Sequence, residues 1–192
     1  MPRCSIGEDD ALEVVEEIRV LGVMVTSDLN RNAHCDYICQ KAFARMWMLR
    51  RLKPLGATTE DLLQIYITQI RSLLEFAVPA WNSGLTKALI NQLEQVQKCA
   101  HAIILDKDYI TYSNAIKKLQ IKTLAERRLE LCMSFALQSQ KSDKYSNWFC
   151  ENESLGLTTR SEKPAFKPVQ ARLRRFEKSP LFYLFNLLNN QK

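Results

Sequence analysis

Residue types that could do chemistry are few here, and each is met in a setting that argues against it. Asp9-Asp10 is an adjacent carboxylate pair of the kind that holds divalent metal for phosphoryl transfer. It lies in a polar run where six acids (Glu8, Asp9, Asp10, Glu13, Glu16, Glu17) crowd together, with no apolar strand to present them inside a dry cleft. The pair therefore reads as a solvated acidic segment. His34-Cys35 and Cys39 put three zinc-type ligands on or before one helical turn, but a fourth is missing, so ordinary packing is expected. His101 has no serine or cysteine partner in a recognisable motif and is expected on the surface. No phosphate-cradling glycine loop and no nucleophile elbow occurs. The sequence thus offers no catalytic residues, no metal site and no cofactor site.

Basic residues are the stronger signal. The formal net charge is +6, and because the acids concentrate near the N-terminus the remainder is more basic than that total. Arg45, Arg50, Arg51 and Lys53 cluster toward the end of one helical stretch. Cations there complement the helix dipole, and the same cations could face phosphates. A second strip, Lys163 to Lys178, holds Lys163, Lys167, Arg172, Arg174, Arg175 and Lys178 against the single acid Glu177, with Phe166 and Phe176 interleaved. Such a strip can track a nucleic-acid backbone and stack on bases, or serve as a solubilising tail.

Helices must carry these residues. In a chain of 192 residues, 46% hydrophobic, only five glycines and six prolines are available for turns, which disfavours a many-stranded sheet. The organising stretch is Ile65 to Trp81, with Leu62, Tyr66, Ile70, Leu73 and Ala77 at three- and four-residue steps. It reads as a central core helix stopped by Pro79, with Arg71 and Glu75 on one side and Trp81 delivered just past its end. Before it, Ile18 to Thr26 reads as one strand with Val14-Val15 as a short partner, and Gly22 as a bulge or close approach. A long helix follows Asn30, with Ile38, Ala42, Arg45, Leu49 and Leu52 in one stripe, closed by Pro54 and Gly56. Thr58 caps the next helix. Between Thr86 and Leu105 the pattern sets Leu89, Leu93, Val96, Ala100 and Ile103 inward and Lys87, Asn91, Glu94, Gln95 and Lys98 outward. Shorter helices are expected at Ala115 to Leu119 and Thr123 to Gln140, the latter with Leu124, Arg128, Leu131 and Phe135 on one side. Periodicity is lost from Ser142 to Lys178, and Pro180 to Leu188 is apolar enough to dock as a last helix.

The fold class expected is mainly α, a helical bundle with a short N-terminal β-hairpin and an irregular basic C-terminal segment. The divisions are 1–30, 31–141 and 142–192. Six scattered cysteines without paired spacing point to reduced thiols and an intracellular protein. No signal segment and no membrane-length apolar run is present, so a soluble protein is expected.

From about Val14 onward the chain resembles the C-terminal part of reverse transcriptases of non-LTR (LINE-type) retrotransposons, especially the Jockey and chicken-repeat-like groups. Leu21-Gly22-Val23, followed by Ser27-Asp28-Leu29 and His34, is similar to the family's primer-grip hairpin. Lys41-Ala42 and Leu49-Arg50-Arg51-Leu52-Lys53 resemble the first thumb helix. The most specific block is Ile70-Arg71-Ser72-Leu73-Leu74-Glu75-Phe76-Ala77 with Pro79 and Trp81, then Leu93 to Lys98 including Gln97. Arg175-Phe176 with Ser179-Pro180 is similar to a terminal motif. Departures are Val20 where tyrosine is usual, Arg31 where tryptophan is common, and Phe76 for tyrosine.

The resemblance implies a post-palm fragment of an RNA-directed DNA polymerase. The family's polymerase aspartates lie well upstream, and Asp9-Asp10 stands too close to Leu21-Gly22-Val23 to be that pair. A thumb would bind an RNA or DNA template-primer duplex. Leu21, Gly22 and Val23 would set the primer-end backbone, while Arg45, Arg50, Arg51, Lys53, Arg172, Arg174 and Arg175 meet phosphates. The alternatives are a helical protein-interaction module or a non-functional relic of the element.

Overall fold

In the computed structural model, which describes residues 15–145, 148, 149, 166 and 174–190, β1 (Glu17–Val20) and β2 (Val23–Thr26) form a two-stranded antiparallel hairpin. Leu21 and Gly22 are its two-residue turn, with φ of 47° and 91°. Positive φ at both turn positions matches the right-handed twist of the strands it joins. The stretch expected as one strand is therefore folded in half, and Gly22 is the turn rather than a bulge. β2 pairs with Glu17–Val20, and Val14 of the expected partner lies outside the described residues.

α1 (Asn32–Leu52) buries Cys35, Ile38, Cys39, Ala42, Met46 and Leu49, a stripe that Arg45 adjoins rather than joins. A 3₁₀ turn at Lys53–Leu55 and a left-handed Gly56 reverse the chain. α2 (Thr59–Ile65) starts on a capping box in which Thr58 and Asp61 exchange hydrogen bonds, as its acidic first turn suggests. It runs into a π-helical segment (Tyr66–Arg71) and then α3 (Ser72–Glu75), which pack back against α1.

The helix stops at Glu75, four residues before Pro79. Phe76 is extended and Ala77 is left-handed, φ 51°. Pro79 instead sits in the first turn of α4 (Val78–Trp81), where its missing amide hydrogen costs no helical bond. Trp81 is thus inside a short helix, fully buried.

α5 (Lys87–Leu105) packs principally on α1 and also touches α2. Leu89, Leu93, Val96 and Ala100 face inward as expected, with Ile104 rather than Ile103 completing the stripe. Two expectations fail here. Glu94 is buried, not outward, and His101 is 0% exposed, not on the surface. Both have tertiary partners, described below.

α6 (Tyr112–Leu119) and α7 (Leu124–Lys141) follow, the latter on a Thr123–Glu126 capping box. α7 buries Leu124, Arg128, Cys132 and Ala136, four apart, while Phe135 stays partly exposed at 38%. After α8 (Arg174–Glu177), α9 (Pro180–Asn189) docks Leu184, Phe185 and Leu188 against α7 and α4. The molecule is mainly α with an N-terminal hairpin. Among the described residues, no helix is long and apolar enough to cross a membrane.

Candidate nucleic-acid interface

A cleft of about 400 Å³ opens where the hairpin tip meets α1 and α3. The hairpin supplies Arg19, Leu21 and Gly22; α1 supplies Tyr37 and Lys41, one turn apart on the same side; Leu73 and Phe76 close it. Lys41 Nζ lies 4.4 Å from the Tyr37 ring centroid and Arg19 Cζ lies 5.3 Å from it. Two cations are held over one aromatic ring, both with exposed side chains.

The turn rests on Phe76. A Cβ at Gly22 would stand 3.0 Å from the Phe76 ring, a tight contact that the ring would have to yield to, on top of a left-handed backbone that favours glycine. Phe76 nevertheless keeps 55% of its surface exposed and Leu21 keeps 91%, leaving an apolar edge on the cleft. Val23 points the other way and packs on the core. Gly22→Ala is expected to cost roughly 1–3 kcal/mol, from the left-handed backbone and the clash together. A urea melt checks it; an unchanged midpoint would mean that the tip relaxes freely.

The cation cluster of α1 is split. Arg45 donates to the Gln69 carbonyl at 2.5 Å. Lys53 donates to the carbonyls of Ile103 (2.6 Å) and Ile104 (3.1 Å) and lies 3.8 Å from Asp106, capping the C-terminal end of α5. These two cations tie helices together. Arg50 and Arg51, in the last turn of α1, are exposed. Arg172 lies outside the described residues, as do the side chains of Arg174 and Arg175, whose backbone begins α8.

The remaining signature residues hold the cleft in place. Arg71 and Glu75 pair at 3.0 Å, and Arg127 of α7 approaches the same carboxylate at 3.2 Å, so α3 is bridged to α7. Trp81 Nε1 donates to the Phe76 carbonyl at 2.8 Å, fixing the bend that presents Phe76. The indole meets the His34 ring edge-on at 5.1 Å, and His34 Nδ1 accepts from the Met24 amide at 3.2 Å. Hairpin and bend are thus linked through two buried rings. Pro79 opens α4, and Gln97 accepts from the Tyr66 hydroxyl (2.9 Å) while donating to the Lys122 carbonyl (3.0 Å).

Beneath this lies a buried polar group of residues that composition and spacing do not reveal. Tyr112 donates to Glu94 at 2.5 Å, and the Ala125 amide donates to the other oxygen at 2.7 Å. His101 is stacked on Tyr112 and edge-on to Tyr66, neither ring nitrogen has a hydrogen-bond partner among the described residues, and burial pushes its pKa down to about 4. Arg128 donates to Asn82 Oδ1 at 3.2 Å, and burial lowers its pKa too. The one available signal was that His101 continues the Leu93, Gln97 spacing.

His34, Cys35 and Cys39 are packed side chains, and among the described residues no group of His, Cys, Asp or Glu could hold a metal ion. Burial raises the Cys35 thiol to about 12 and Cys39 to about 11, so both stay protonated and unreactive. Asp9 and Asp10 lie outside the described residues. No known protein family, curated protein or solved structure matches this chain.

Proposed function

We propose that this chain is a thumb-like nucleic-acid-binding module of a retrotransposon reverse transcriptase, without polymerase chemistry of its own. It holds a template-primer duplex through phosphates. The observation that carries this reading is the cleft at the hairpin tip, where Arg19 and Lys41 flank Tyr37 beside the exposed Leu21 and Phe76. The primer-grip-like turn comes with both cations and an apolar edge. Arg50 and Arg51 add exposed charge on the same helix as Lys41. Contacts of this type carry no base information, so binding is independent of sequence and sensitive to salt.

A salt titration of hybrid-duplex binding by fluorescence anisotropy tests it. Replacing Arg19 and Lys41 by alanine is expected to flatten the slope of log affinity against log salt by about 2, near 0.9 for each phosphate no longer neutralised. An unchanged slope would remove the cleft from the interface.

A helical protein-interaction module is the second reading, and one feature favours it. An apolar groove of about 580 Å³ runs between α4, α7 and α9, lined by Pro79, Phe135, Trp148, Phe176 and Leu181.

A further inference from the structure

The outer face of α1 departs from the usual pattern of a surface helix. An amphipathic helix turns polar residues to solvent, yet Phe43 and Trp47 of α1 are 40% and 60% exposed. They stand four residues apart, so they share one side of the helix at about 6 Å along its axis. Neither ring is stacked on another among the described residues.

Charge follows the same face. Arg50 and Arg51 lie one turn beyond Trp47, both exposed, and Lys41 flanks the face on the side of the cleft. The one acid of the helix, Asp36, sits toward the opposite end, where its carboxylate accepts from Gln92 Nε2 at 2.7 Å. Three exposed cations and two open aromatic rings thus stand against a single acid.

That combination selects its partner. Cations draw in a polyanion, and planar rings standing among them are platforms on which unpaired bases stack. A duplex keeps its bases stacked on one another, so it meets this face with phosphates rather than base planes. The core of a protein interface is poor in charge, whereas these rings are bracketed by cations.

We infer that the outer face of α1 binds single-stranded nucleic acid, with Phe43 and Trp47 stacking on unpaired bases and Arg50 and Arg51 taking the adjoining phosphates. The two arginines serve a paired or an unpaired strand alike; the rings favour only the unpaired one. Resting on the thumb-like function proposed for the chain, the source of that strand is the unpaired continuation of the duplex held at the cleft. A duplex with an overhang is then bound more tightly than a blunt one.

Trp47 is its own reporter. With Trp148→Phe removing the other exposed indole and Trp81 fully buried, an oligothymidylate of about 12 nucleotides is expected to quench the exposed fluorescence saturably. By anisotropy of the labelled strand, Trp47→Ala should weaken binding about 5- to 150-fold, the range for one lost stack, while Trp47→Phe, which keeps a ring, should stay within about 3-fold. Both changes fall on an exposed side chain, and thermal melts verify that the fold is kept. Blunt-duplex affinity should be equal in all three proteins, and the advantage of an overhang should vanish in Trp47→Ala. Absence of saturable quenching, or equal oligonucleotide affinity in the parent and Trp47→Ala, would overturn the site; duplex binding that still depends on Arg19 and Lys41 would leave the thumb-like function standing. Quenching without any duplex binding would overturn the overhang as the source, together with the thumb-like function. A parent that self-associates in sedimentation, beside a monomeric Trp47→Ala, would make the face an interface between copies and overturn the proposal.

Discussion

Acidification from pH 7 to pH 4 is expected to remove a large part of this protein's stability, through two buried imidazoles. Burial depresses the pKa of both His34 and His101 to about 4, and a nearby cation, Arg31 for the first and Arg71 for the second, adds to the effect. In the unfolded chain each returns to about 6.5. Below that value the unfolded state binds protons that the folded state refuses, so stability is whole above pH 6.5 and declines until pH 4. Each histidine accounts for about 3 kcal/mol of this decline, against a typical total of roughly 5–15 for a domain. Carboxylates act in a different window: Asp28, held near 2 by hydrogen bonds from Thr26 and Asn30, matters only below about pH 3.8. Urea midpoints measured across the range should fall steeply between pH 6.5 and 4. His101→Phe, which keeps a ring between Tyr66 and Tyr112, should halve the slope. A constant midpoint down to pH 5 would show that the rings are solvated.

Replacing Trp81 by alanine is the second large effect, expected at roughly 3–5 kcal/mol for a fully buried aromatic. The indole fills the space between the bend and α1 and closes it with a hydrogen bond. Trp81→Phe separates the two contributions. It keeps most of the volume but leaves the Phe76 carbonyl without its donor, at a cost of about 1–3 kcal/mol. Because that bond fixes Phe76, the smaller change should also alter the cleft. Equal denaturation midpoints for the alanine variant and the parent would show that Trp81 is not part of the core.

Local signals accounted for most of the helical framework. Thr58 with Asp61 announces α2, and the spacing of Leu89, Leu93, Val96 and Ala100 announces α5, because caps and amphipathic stripes are written within a few residues. An N-terminal hairpin was expected, but the residue pattern hid where it turns, because the β-branched run continues across Leu21-Gly22 and leucine is not a residue whose presence signals a left-handed turn. Pro79 misled because proline is as much at home in the first helical turn as beyond the last one. Glu94 and His101 look like surface residues until Tyr112, Tyr66 and the Ala125 amide arrive from other elements. The candidate site was half legible for the same reason. Leu21-Gly22 could be singled out, but Arg19, Tyr37, Lys41 and Phe76 meet only after folding. The acceptors that occupy Arg45 and Lys53 are backbone carbonyls on other helices, which no sequence pattern records.

Affinity for two unrelated duplexes across a range of salt is the most direct test of phosphate-directed binding. The parent chain is predicted to bind both equally, with log affinity falling linearly in log salt by about 0.9 per phosphate neutralised. Replacing Arg172, Arg174 and Arg175 with alanine should flatten the slope by roughly 2–3 units if all three touch phosphates, and replacing Arg50 and Arg51 by about 2. Absence of binding at low salt, or one slope shared by the parent and every variant, would contradict the account and leave the protein-interaction module in its place.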